Sequence, residues 1–232
     1  YIVLLLINPT GAGKAILAVI KNFFFFPEGP ARAKYFGGTL VKAAPLVMCS
    51  LSILFAYKGG LFNIGVAGQY VAGAGACLYA ALAWQCPWYV CLLLAIAAGA
   101  VFGAFSGILK AYCNVNEVIS GIMLNWIGLY AVNILLTNVK EAASPYTNNL
   151  SSFNASALLP TMGLDKLFGN NQYVTIAIPL AILSAIVIAV ILEKTKFGYE
   201  LKATGYNKNA AKYCGMAEKR NIILICVGVC MA

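Results

Sequence analysis

Glu117, Ser120, Gly121, Asn125 and Gly128 share one face of a helix turning 100° per residue, while Ile119, Ile122, Met123, Trp126 and Leu129 fall on the others. A stripe of carboxylate, hydroxyl, amide and glycine on an otherwise apolar helix offers hydrogen bonds rather than bond-making chemistry. A second polar set stands upstream in Gly60-Leu61-Phe62-Asn63-Ile64-Gly65-Val66-Ala67-Gly68-Gln69. Glycine weakens a helix by about 1 kcal/mol per position relative to Ala, so this stretch predicts a break that carries Asn63 and Gln69. Amides donate and accept, and they meet the hydroxyls or base edges of a neutral solute without the desolvation cost of a charge. Asn63, Gln69, Asn125, Ser120 and Glu117 are therefore candidates to line a substrate path. The alternative for both segments is helix packing, with the amides bonded to neighbouring backbone. Glu117 is either a gate near the cytoplasmic exit or a carboxylate that satisfies free N–H groups at a helix start.

Catalysis finds no support. The chain has no His, 7 Asp and Glu, and 8 Cys; the cysteines show neither a CxxC nor a metal-ligand spacing. Most lie in apolar runs, where Cys behaves as a small hydrophobe, so neither a metal, a cofactor nor a disulfide framework is expected. Thr10-Gly11-Ala12-Gly13-Lys14 superficially matches a phosphate-binding loop. Asn8 stands where its first Gly belongs, and Ala15 where Ser or Thr must hold the magnesium. Any nucleotide must bind to another chain, and this one is not expected to be an enzyme.

The elements that position these residues follow from hydropathy. The chain is 62% hydrophobic and 10% charged, with mean hydropathy +0.83, against about 25% charged residues in soluble domains. No charged residue occurs in 59–109, 118–139 or 167–192, and a membrane helix needs about 20 apolar residues. The expected fold is all-α: a polytopic helical membrane protein with six to seven membrane segments. They are the end of a first span at 1–7, then 40–57, 60–84, 89–109, 118–137, 173–192 and a last one starting at Ile222. Within 8–39, Phe23 to Phe26 beside charges predict a short helix on the membrane surface. Gly99, Gly103 and Gly107 repeat every fourth residue and form a ridge for close helix packing. The apolar runs at both termini lead us to expect a single transmembrane domain over 1–232 that is a piece of a longer chain.

Net charge is +9, and Lys194, Lys196, Lys202, Lys208, Lys212, Lys219 and Arg220 crowd into 193–220. A short basic loop between spans marks the cytoplasmic side, and its charge suits anionic membrane lipid better than nucleic acid. Loops 8–39 and 138–172 then lie outside, together with the Trp84–Trp88 turn. The sequons at Asn149 and Asn154 read as chance matches.

Inside the basic loop, Asn209-Ala210-Ala211, three residues, Gly215, nine residues and Ile225 resemble the segment by which ABC-importer permeases dock on their ATPase. The chain over 40–232 is similar to the nucleoside and simple-sugar branch of the branched-chain amino acid/ribose permease superfamily. Gly60 to Gly65 with Gly68-Gln69, Asn116-Glu117-Val118-Ile119-Ser120, Met123-Leu124-Asn125, and Gly198-Tyr199-Glu200-Leu201-Lys202-Ala203-Thr204-Gly205-Tyr206-Asn207 carry the likeness. It departs from the pattern where Asn209 replaces Glu, where Val227-Gly228 replaces Leu-Pro and where Ala67 replaces Glu. The resemblance implies a bacterial plasma-membrane subunit of an ATP-driven importer, for nucleosides or alternatively for simple sugars such as ribose. Its partners would be an ABC ATPase docked at Gly205, Asn209, Ala210, Ala211 and Gly215, a second permease subunit and an extracellular substrate-binding lipoprotein. An ion-coupled secondary transporter would want ionisable groups in mid-membrane; Lys42 and Glu117 both sit near span ends.

Overall fold

The structure, a computed structural model, describes residues 12–24, 30–137, 139 and 154–228. Among these, ten α-helices follow one another: α1 (Ala12–Phe24), α2 (Pro30–Lys58), α3 (Val66–Ala83), α4 (Trp88–Cys113), α5 (Glu117–Thr137), α6 (Leu164–Leu167), α7 (Ala177–Lys194), α8 (Lys196–Tyr206), α9 (Lys208–Tyr213) and α10 (Glu218–Gly228). Five are long and apolar enough to cross a membrane: 33–58 of α2, and α3, α4, α5 and α7. The expected span at 1–7 lies outside the described residues.

Boundaries differ from the sequence expectation where charge was read as an end. Residues 8–39 hold α1 and the start of α2, which runs from Pro30 through Lys34 and Lys42 as one helix. Lysine stems extend along a helix and carry their ammonium groups to the interface, so single basic residues did not mark its end. On α1, Leu17, Val19 and Ile20 are exposed next to Lys14 and Lys21; Phe25 and Phe26 lie outside the described residues. Pro179 sits in the first turn of α7, where its missing N–H costs no helical bond.

The chain forms two units. In the first (1–43 and 160–178), Phe36 stacks on Phe168 at 6.2 Å. Asn171 donates from Nδ2 to the Lys34 carbonyl at 3.0 Å and accepts from the Tyr173 N–H at 3.2 Å.

The second unit (44–159 and 179–232) holds the polar segments. Its main core gathers Phe55, Ala56, Leu61, Val66, Ile188, Leu192, Leu201, Ile222, Ile225 and Cys226. Helix α4 lies between α3 and α10, and α3 also packs on α5. Small residues permit these approaches. A Cβ on Gly73 would lie 3.1 Å from the Ala95 carbonyl oxygen, and one on Gly107 3.0 Å from Ile223 Cα. Gly99, Gly103 and Gly107 are all buried on α4. Close backbone contact of this kind is how helices associate where lipid removes the hydrophobic drive.

Candidate functional site: an amide-stitched helix break

Helix α2 ends in a Schellman turn. Gly60 takes φ +74, the Leu61 N–H returns to the Ala56 carbonyl and the Gly60 N–H to that of Tyr57, both at 3.0 Å. This left-handed position suits glycine. Residues 61–63 have no regular secondary structure, 64–65 form a turn and helix resumes only at Val66, so the glycine-rich segment is broken as its composition predicts.

The N–H groups in the first turn of a helix have no partner within it. Here a different helix supplies one. Asn125 on α5 accepts the Gly68 N–H at Oδ1 (2.7 Å) and donates from Nδ2 to the Ile64 carbonyl (3.1 Å). One amide thus bridges the loop and the start of α3. Asn63 accepts the Gly65 N–H at 2.9 Å and donates to Gln69 Oε1 at 3.5 Å. Gln69 is 5% exposed, and its Nε2 has no partner among the described residues.

The small members of the α5 stripe allow this seating. A Cβ on Gly121 would come within 2.9 Å of the Gly65 nitrogen, and one on Gly128 within 3.3 Å of the Gly68 oxygen. The structure therefore brings Asn63, Gln69 and Asn125 together. Ser120 is buried, but its hydroxyl donates to the Glu117 carbonyl of its own helix at 3.2 Å. The remaining faces of α5 carry exposed Ile119, Ile122, Met123, Trp126, Ile127 and Tyr130.

At the start of α5 the cap is Asn116, whose Oδ1 accepts the Val118 N–H at 2.9 Å. Glu117 instead pairs with Lys110 of the last turn of α4 at 2.5 Å, with Lys208 within electrostatic reach. This half-buried pair closes the Asn114–Asn116 connection and adjoins the basic segment.

That segment is helical. Thr195 caps α8 by accepting the Gly198 N–H at 3.1 Å. Asn207 ends α8 and starts α9, accepting the N–H groups of Asn209 and Ala210 at 3.0 and 3.2 Å. Gly215 closes α9 with φ +79, in a second Schellman turn: Met216 N–H to Ala211 O and Gly215 N–H to Lys212 O, each 3.0 Å.

The five docking candidates divide. Asn209, Ala210 and Gly215 are exposed, whereas Ala211 is 3% exposed. Gly205 sits on the α2 turn, where a Cβ would lie 2.7 Å from the Gly59 carbonyl carbon and 2.8 Å from the Gly60 nitrogen. Tyr206 and Tyr213, on either side of α9, are at least 90% exposed.

Residues 35–231 match the family described as branched-chain amino acid transport system / permease component. The chain belongs to this permease family. It is 35% identical to the guanosine ABC transporter permease protein NupP of Bacillus subtilis (strain 168), over 82% of this chain and 54% of that protein. It is 34% identical to the nucleoside ABC transporter permease protein NupB of Lactococcus lactis subsp. cremoris (strain MG1363), over 88% and 57%. With the glucose ABC transporter permease protein TsgB13 of Haloferax volcanii it shares 31%, over 77% and 49%. The chain thus spans about half the length of the curated relatives it matches. No solved structure matches it.

Several working residues were not singled out by the sequence reading. Asn154, read as part of a chance sequon, is buried and donates from Nδ2 to the carbonyls of Ala81 and Cys86, both at 3.1 Å. Asn221, fully buried, donates to Thr204 Oγ1 at 3.1 Å and ties α10 to α8. A polar residue beside an apolar run was the available signal in both cases.

Proposed function

We propose that this permease forms part of the translocation path of an ATP-driven ABC importer for nucleosides in a bacterial plasma membrane. A separate ATPase subunit docks on the 193–220 segment and supplies the energy. A second permease subunit completes the path, and an extracellular substrate-binding lipoprotein delivers the solute. Closure of the ATPases pushes α8–α9 and reorients the spans, which gives alternating access.

The observation that carries this reading is the neutral amide set at the helix break. Broken helices at membrane depth are tolerated where they are buried or line a cavity, and in transporters they mark binding sites. Asn125 holds the break in shape, and Gln69 Nε2 is the donor left for a solute. A nucleoside meets such a donor with ribose hydroxyls and base carbonyls. The guanosine and nucleoside permeases among the relatives support that class. The glucose permease relative supports a second reading, simple sugars such as ribose, through the same hydroxyl chemistry.

Gln69→Leu tests the site, measured as uptake of labelled guanosine, uridine, ribose and glucose by cells carrying the whole transporter. Nucleoside uptake should fall about tenfold, the size of one hydrogen bond, with ATPase co-purification unchanged. Normal uptake, or loss only with collapse of the complex, would remove Gln69 from the path. Stronger loss of sugar than of nucleoside uptake would favour the second reading.

A further inference from the structure

We propose that Cys77 and Cys91 are a disulfide-forming pair at the end of the bundle where α3, α4 and the turn at 155–157 meet. The inference does not depend on what the permease carries.

Three thiols gather there. Cys91 is 1% exposed in a small core with Ala80 and Ala81, and Cys77 and Cys86 pack against it. The Cys77 and Cys91 thiols lie within electrostatic reach of each other, and Cys86, Cys77 and Cys91 all carry thiols. The helix register explains the pairing. Gly73 of α3 faces Ala95 of α4, with a Gly73 Cβ 3.9 Å from Ala95 Cα. In two antiparallel helices, one turn forward on α3 and one turn back on α4 bring Cys77 opposite Cys91. The close approach one turn away suits the short Cα separation, about 4.4–6.8 Å, that a disulfide requires.

Cys86 is the weaker partner. Its Sγ turns to the Trp84 carbonyl at 3.8 Å, while the Cys91 thiol donates to the Cys86 carbonyl at 3.6 Å. Cys86 therefore presents backbone, not sulfur, to Cys91.

The orientation expected from the basic 193–220 segment puts this end outside the cytoplasm, where disulfides form and persist. With hydrogen peroxide as oxidant the reaction balances. Cys77, the less buried of the two, attacks one peroxide oxygen and gives up its S–H proton, the O–O bond breaks, and sulfenic acid and water result. The Cys91 sulfur then attacks the Cys77 sulfur and releases the second water. Two S–H bonds are lost, one S–S bond forms, and peroxide takes both electrons. The product staples α3 to α4 beyond the amide-stitched break.

The test uses the intact transporter in membrane vesicles, treated with hydrogen peroxide, denatured, alkylated with N-ethylmaleimide and digested for mass spectrometry. A peptide linking Cys77 to Cys91, lighter by two hydrogens than the thiol pair, should appear, vanish with dithiothreitol and be absent from Cys77→Ser. Exposed Cys214 serves as the dose control. Full alkylation of Cys77 and Cys91 at a dose that oxidises Cys214 would overturn the proposal, as would a link from Cys91 to Cys86.

Discussion

At the scale of single residues, Asn125 does more than its place in a polar stripe suggests. Its two amide bonds bind the Ile64 carbonyl and the Gly68 N–H, so Asn125→Leu orphans both backbone groups. Each buried unsatisfied group costs about 1–3 kcal/mol. The expected result is a lowered thermal midpoint together with impaired uptake. Gln69→Leu, which orphans only the 3.5 Å bond from Asn63, should leave the midpoint nearly unchanged. Trp126→Phe should be mild in both assays, since Trp126 is 55% exposed and, among the described residues, its ring contact is with Tyr130. A normal midpoint in Asn125→Leu would show that the amide does not hold the break. The stripe and the glycine-rich break were legible in sequence because helical periodicity and local composition write them directly. Which amide bonded to which backbone group was not legible, because residues 64 and 125 meet only through the packing of α5 on α3.

At the scale of elements, the basic segment shows why a signature locates a loop better than it assigns its faces. Ala210 and Ala211 are adjacent in the motif, but α9 turns them apart, one to the surface and one inward. Ala210→Glu should therefore leave the permease folded and weaken ATPase co-purification. Ala211→Glu buries a carboxylate and should cut the amount of folded permease itself. Equal effects of the two on folded yield would mean that α9 does not pack as described. Gly215 separates bulk from backbone. A Cβ there meets nothing within 4 Å, so the constraint is φ +79, which Asn tolerates and β-branched residues do not. Gly215→Asn should transport nearly normally and Gly215→Val should not. The Gly205 contact with Gly59 and Gly60 escapes any local reading, because its partner lies at the far end of another span.

At the scale of the whole molecule, sidedness ties the elements to a direction of transport. The second unit sorts its connections into two sets. At one end Gly205 rests on the turn after Lys58, and Lys110 pairs with Glu117 beside Lys208. At the other, Asn154 bonds the carbonyls of Ala81 and Cys86. Basic residues concentrate in the first set, which the positive-inside bias assigns to the cytoplasm. The check uses an otherwise cysteine-free transporter in intact cells, with either Cys214 retained or Ala83→Cys introduced; both positions are exposed. An impermeant maleimide should label the Ala83→Cys variant at once. Cys214 should react only after the cells are opened. Labelling of Cys214 from outside would put α9 on the wrong side of the membrane for a cytoplasmic ATPase. The docking role of the 193–220 segment would then fall, while the amide-stitched break, which rests on internal hydrogen bonds alone, would stand.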